Sequence, residues 1–178
     1  MNKKKLVTEM GRIDLDAFAQ SQKLPLVVVL DNVRSLHNVG SVFRTSDAFR
    51  VECIMLCGIT ATPPSAEIHK TALGAEDVVD WKYYESTMDA VAELRSQGYK
   101  IYSIELCQGS IALQDFVTAP GERYAVVLGN EVKGVQQDVV DASDGAIEIP
   151  QFGTKHSLNV SVTAGMVIWE FAKKLGLV

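Results

Sequence analysis

Two kinds of apolar pattern alternate along the chain. The run Leu24-Pro25-Leu26-Val27-Val28-Val29-Leu30 is continuous and rich in β-branched residues, as a strand covered on both faces must be. Residues 53–57, 100–104 and 124–128 have the same character, and 77–80 and 147–150 are expected as two further short strands. Between them the apolar spacing widens to three and four. Val39, Val42, Phe43 and Phe49 mark the inner side of a helix over 38–49. Residues 87–97 predict another, ended by Gly98, which tolerates the left-handed conformation of a helix terminus. Residues 66–74 predict a short one, and 60–65, with Pro63-Pro64, a loop. The closing helix, 157–175, is apolar nearly all round: Val160, Val162, Ala164, Met166, Val167, Ile168, Trp169 and Phe171. Such a helix is covered on most faces, partly by a second subunit or wholly within its own core. In residues 1–24, Ile13, Leu15 and Phe18 line a short amphipathic helix, so an arm over 1–24 and one domain over 25–178 are expected.

Strands alternating with helices imply an α/β fold around a mostly parallel sheet. Ligands of such sheets sit outside the carboxyl ends of the strands. Three segments fall there: 31–44, 129–134 and 150–159. In the first, Asn38 is a good helix cap and Gly40 permits a close approach to the helix start. Arg44 shares a face with Asp47, so it either pairs with Asp47 or aims at a phosphate near the helix start. The second, Gly129-Asn130-Glu131-Val132-Lys133-Gly134, follows a buried strand and reads as a glycine turn or as a loop offering main-chain groups to a ligand. The third runs Ile149-Pro150-Gln151-Phe152-Gly153-Thr154-Lys155-His156-Ser157-Leu158-Asn159-Val160-Ser161-Val162, with Ser157 and Asn159 as candidate caps.

Several chemistries are absent. No GxGxxG follows the first strand, Val135 breaks the P-loop pattern after Gly134, and there is no GxSxG elbow. The three cysteines, Cys53, Cys57 and Cys107, are an odd number, against a complete disulfide framework; Cys53 and Cys57 have no CxxC spacing and, in or beside an apolar run, read as buried thiols. His37, His69 and His156 have no metal-ligand spacing, so no metal is expected. The 178 residues suit one domain, 47% hydrophobic and 22% charged. No apolar run is long enough to span a bilayer, and none follows the basic Met1-Asn2-Lys3-Lys4-Lys5 as a signal core, so the chain is read as cytoplasmic. The net charge of −5 opposes polyanion binding in general. Its distribution does not: Arg34, Arg44, Lys133 and Lys155 all lie in or beside the three segments.

Taken in order, the segments resemble the three motifs of the SpoU (TrmH-like) branch of the SPOUT RNA methyltransferases. The first matches as Asn38-x-Gly40-x-x-x-Arg44 continuing into Thr45-Ser46-Asp47-Ala48-Phe49. The second matches as Leu128-Gly129-x-Glu131-x-x-Gly134. The third matches as Ile149-Pro150, Gly153 and Ser157-Leu158-Asn159-Val160-Ser161-Val162. The similarity covers roughly residues 25–175, with Gln151 where relatives often have Met.

The resemblance implies a sheet whose C-terminal segment is threaded into a trefoil knot, and a homodimer whose active site forms where two subunits meet. It implies S-adenosylmethionine as methyl donor, held by Leu128, Gly129, Ile149 and Leu158, with a contribution from Glu105. It implies Asn38, Arg44, Glu131, Ser157 and Asn159 as the functional polar set. It further implies transfer to a ribose 2′-hydroxyl of structured RNA, and the first motif with the compact length inclines towards tRNA over rRNA. An RNA-binding relative without catalysis, a base-nitrogen methyltransferase of the same knotted class and a small-molecule methyltransferase are the alternatives.

Overall fold

A computed structural model describes residues 2–11, 13–155 and 157–178. His156, in the third motif, lies outside the described residues. The strands are β1 (Leu24–Asp31), β2 (Val51–Cys57), β3 (Trp81–Tyr84), β4 (Lys100–Ile104), β5 (Ile111–Ala112), β6 (Tyr124–Leu128) and β7 (Gly145–Glu148). The helices are α1 (Leu15–Gln20), α2 (Leu36–Ala48), α3 (Ala66–Ala72), α4 (Thr87–Ser96), α5 (Gln137–Ala142) and α6 (Val160–Lys174). All seven strands form one sheet in the order β3-β2-β1-β6-β4-β7-β5, and every named pair is parallel. Strand β4 thus separates β6 from β7, an order consistent with the threaded C-terminal segment that the resemblance implies.

The sheet is covered on both faces, which is why its strands carry no polar stripe. Leu26, Val28 and Leu30 of β1 point into one core with Val39, Val42 and Phe43 of α2, Ile68 of α3 and Ala164, Val167 and Phe171 of α6. Val27 and Val29, pointing the other way, pack with Ala90, Val91 and Leu94 of α4 and with Val139 of α5.

Several expectations shift. The strand expected at 77–80 is displaced: Ala75–Asp77 is a 3₁₀ turn that follows Gly74 in its left-handed conformation, and the strand begins at Trp81. The short strand expected at 147–150 runs instead over Gly145–Glu148 and ends before Pro150, which has no N–H to give a ladder. Strand β5 and helix α5 are too short to show a period. In the arm, Asp14 caps α1 by accepting from the Ala17 N–H at 2.8 Å. Only Phe18 of the expected apolar face is buried, while Ile13 and Leu15 are exposed.

Register places the motifs. Leu30 of β1 pairs with Leu128 of β6, and Ile104 of β4 with Ile147 of β7. The chain therefore leaves the sheet at Asp31, Gly129, Glu105 and Ile149 along one edge of the molecule.

Candidate functional site

At that edge lies a cavity of about 490 Å³. Its floor is apolar, from Leu128, Ile147 and Ile149, and its rim includes Glu105, Glu131, Ser157 and Leu158. The expected donor residues Leu128, Gly129, Ile149, Leu158 and Glu105 all line it, together with Glu131 and Ser157. Asn38, Arg44 and Asn159 are not among its lining residues.

Asn38 and Asn159 act on the rim instead. The Glu131 carboxylate accepts from the N–H of Arg34 at 3.0 Å, from the N–H of Ser35 at 2.9 Å and from Asn38 Nδ2 at 3.2 Å. Asn38 Oδ1 in turn accepts from Asn159 Nδ2 at 3.2 Å. One hydrogen-bonded chain thus ties the second motif to the first and the first to the third. Burial pushes the Glu131 carboxyl up, but the N–H groups of Arg34 and Ser35 more than offset it, and its pKa is held below the usual carboxylate range. The carboxylate thus lies near the start of α2, where the helix dipole is positive.

Asn159 is the cap of α6. Its Oδ1 accepts from the Ser161 N–H at 2.9 Å and from the Val162 N–H at 3.3 Å. The helix consequently begins at Val160, three residues later than expected, and Ser157 stays in the loop at the cavity.

The glycine loop is packed too closely for side chains. A Cβ on Gly129 would overlap the main chain of Gly134 and Val135, and one on Gly134, at φ 71°, would meet Glu105. Glu105 accepts from the Val135 N–H and the Leu106 N–H, both at 3.0 Å, bracing this loop against the end of β4. Gly40 has a different reason from the one anticipated. A side chain there would strike Thr71 and the Ile68 carbonyl of α3, so it serves the packing of α2 on α3.

Arg44 is exposed. The ion pair with Asp47 does not form among the described residues, which leaves the guanidinium available to a ligand. Helix α2 packs on α6, where Phe49 meets Trp169 edge-on with centroids 5.7 Å apart. Val162, Met166 and Trp169 of α6 are 48%, 43% and 48% exposed. The closing helix is thus buried on one side and carries an uncovered apolar stripe on the other.

The sequence reading missed a buried carboxylate. Asp31, fully buried, accepts from Thr87 Oγ1 at 2.6 Å, Gln136 Nε2 at 2.8 Å and Asn32 Nδ2 at 2.9 Å through Oδ1, and from the Gln136 N–H at 2.8 Å through Oδ2. It fastens the end of the glycine loop to β1. The one available signal was an acidic residue directly after an apolar strand, which ordinarily marks a turn.

A cavity at the carboxyl ends of a parallel α/β sheet, rimmed by loops from non-adjacent segments, defines a small-molecule site of the open α/β class. Residues 25–169 match the SpoU rRNA Methylase family, and the chain belongs to that family. It is 29% identical over 170 residues to a 23S rRNA (guanosine-2′-O-)-methyltransferase, RlmB, of Vibrio parahaemolyticus, covering 96% of this chain and 68% of that protein. It is 29% identical over 164 residues to a tRNA (guanosine(18)-2′-O)-methyltransferase of Thermus thermophilus, covering 92% and 82%. Among solved structures, an AdoMet-bound rRNA methyltransferase from Sinorhizobium meliloti superposes with a TM-score of 0.80 at 27% identity, over 86% of this chain and 58% of that one. The chain thus spans under two thirds of that solved relative. Among the described residues no helix is long and apolar enough to cross a membrane.

Proposed function

We propose that the protein transfers a methyl group from S-adenosylmethionine to a ribose 2′-hydroxyl of structured RNA, with tRNA favoured, and that it works as a cytoplasmic homodimer. The observation that carries this reading is the chain Glu131–Asn38–Asn159, which gathers all three motif loops at the rim of one cavity. The cavity suits the donor. Its volume falls within the range of about 300–1,000 Å³ usual for small-molecule sites. Leu128, Ile147, Ile149 and Leu158 give apolar walls for a flat base, and Gly129 lines the same cavity. Leu128, Gly129, Ile149 and Leu158 would hold the donor, and Glu105 would keep the loop around it in place. When bound, the donor supplies an electrophilic methyl carbon on a sulfonium.

The chain's own residues supply alignment and management of the hydroxyl proton. Alignment alone is worth about 7–11 kcal/mol in favourable cases. Glu131 is a poor base, since its charge is already stabilised by N–H donors; it fixes the loops with Asn38 and Asn159. Ser157, at the cavity and outside the helix, hydrogen-bonds the RNA sugar or phosphate. The Arg44 guanidinium is a planar cation with a fork of donors, a shape that matches a phosphate. Its part is to clamp the phosphate beside the target ribose and to steady the 2′-oxygen as its proton passes to a phosphate oxygen or water. Arg44 is not among the cavity-lining residues, and the stripe Val162, Met166 and Trp169 is uncovered. Both facts support a site completed by Arg44 of a second copy.

The test is methyl transfer from labelled donor to bulk RNA, followed by alkaline hydrolysis. Label in alkali-resistant dinucleotides is expected, because a 2′-O-methyl group blocks cleavage at that linkage. Label on bases moves the reading to a base-nitrogen enzyme. Donor binding without transfer to any RNA overturns it.

A further inference from the structure

A second, smaller cavity, of about 340 Å³, is lined by Arg34, Ser35 and Glu131. Glu131 lines both this cavity and the larger one, so whatever enters the second lies next to the mouth of the first. We propose that Arg34 is an RNA-contact residue, and that in this second cavity it holds the backbone phosphate of a nucleotide flanking the methylated one. The proposal rests on the RNA reading above and goes beyond it by assigning a site and a residue that none of the three motifs contains.

Arg34 has its main chain fixed and its side chain free. Its main-chain N–H is held by Glu131 at 3.0 Å. The residue before it, Val33, gives its N–H to Thr60 Oγ1 at 2.9 Å, and that hydroxyl is itself anchored on the Leu30 carbonyl at 3.1 Å. The residue after it, Ser35, caps α2 and gives its N–H to Glu131. The backbone is therefore pinned at three consecutive positions, which limits the entropy lost when the side chain is used. The guanidinium, by contrast, is exposed and makes no hydrogen bond or ion pair among the described residues.

The chemistry of the walls selects the ligand. Reading a base edge needs several unspent donors and acceptors in fixed places. Here both Glu131 oxygens already accept N–H groups, and Ser35 Oγ accepts from the Asn38 N–H at 3.3 Å. The group left over is a planar cation with a fork of donors, which matches a phosphate. A carboxylate beside a bound anion would ordinarily repel it. The Glu131 charge, however, faces the positive start of α2 and is spent on three N–H donors. In a chain of net charge −5, attraction for RNA has to come from such local cations.

The experiment is filter binding of end-labelled bulk small RNA from cells lacking the gene, over a salt series, with donor affinity measured separately by calorimetry. Arg34→Ala is expected to weaken RNA binding by about tenfold and to lower the slope of log affinity against log salt by about one contact. Donor affinity should stay within about twofold, because no donor-cavity group is touched. Arg34→Lys should recover the salt slope while regaining only part of the affinity, since it keeps the charge and loses the fork. Unchanged RNA affinity in Arg34→Ala overturns the proposal. So does a parallel fall in donor affinity, which would make Arg34 a scaffold residue. An unchanged salt slope with losses confined to RNAs sharing one base would instead assign it to base reading and equally overturn it. Wild-type protein that binds no RNA defeats the parent reading too, and is told apart by needing no variant.

Discussion

At the scale of single residues, Glu131 shows how environment sets role. The same carboxylate at a solvated turn would be an ordinary acid; here N–H donors from Arg34, Ser35 and Asn38 make it a structural anion. Its pKa is depressed in the folded chain, so the sign of its contribution to stability is fixed. The contribution is present above the unfolded carboxylate value of about 4.3 and is lost as pH falls through the lower folded value. Glu131→Gln should therefore lower stability near pH 7 and flatten the acid limb, with the two proteins converging in denaturant titrations once the pH is below that depressed folded value. Methyl transfer should fall by about tenfold or more, since the amide presents a donor where an N–H needs an acceptor. An acid limb identical to wild type would separate Glu131 from the network.

At the scale of elements, the glycine loop and the start of α6 are set by steric and capping rules. Gly129→Ala puts a methyl group into the main chain of Gly134 and Val135, and these backbone atoms cannot move without breaking the Glu105 brace. Donor affinity by calorimetry should drop by about tenfold or more, a loss of about 1.4 kcal/mol at least. The surrounding core should hold, because Val126, Val127 and Leu128 of β6 stay packed. Retained affinity would mean that the loop relaxes and that its glycines answer only to turn geometry. The displaced strand belongs to this scale as well. The acid-flanked stretch 77–80 looked extended, yet the left-handed Gly74 turned the chain early and moved the pairing segment to Trp81.

At the scale of the molecule, the proposed dimer explains two features together: an Arg44 not among the cavity's lining residues and an apolar stripe without cover on α6. Trp169→Glu should shift the protein towards monomer in light scattering and reduce methyl transfer with it. A sharper test uses co-expressed pairs. Arg44→Ala and Ser157→Ala should each be inactive alone, but a mixed population should regain about a quarter of wild-type activity, because each hybrid dimer then contains one intact shared site. No recovery would place both residues in the same subunit's site.

Much of this was legible in the chain. The buried strands announced themselves because a parallel sheet covered on both faces requires unbroken apolar runs. The three polar segments could be found because a capping Asn159 and paired glycines have local conformational reasons that sequence displays, although Ser35 and not the expected Asn38 caps α2. Tertiary structure alone decided which of them meet. The Glu131–Asn38–Asn159 chain joins residues 93 and 121 positions apart, and no local rule relates such partners; strand order and register bring them together. The same holds for Asp31, which a strand-end reading takes for a turn residue until Thr87 and Gln136 are folded against it. Short elements such as β5 and α5 likewise owe their form to neighbours, since they are too brief for a periodic signal.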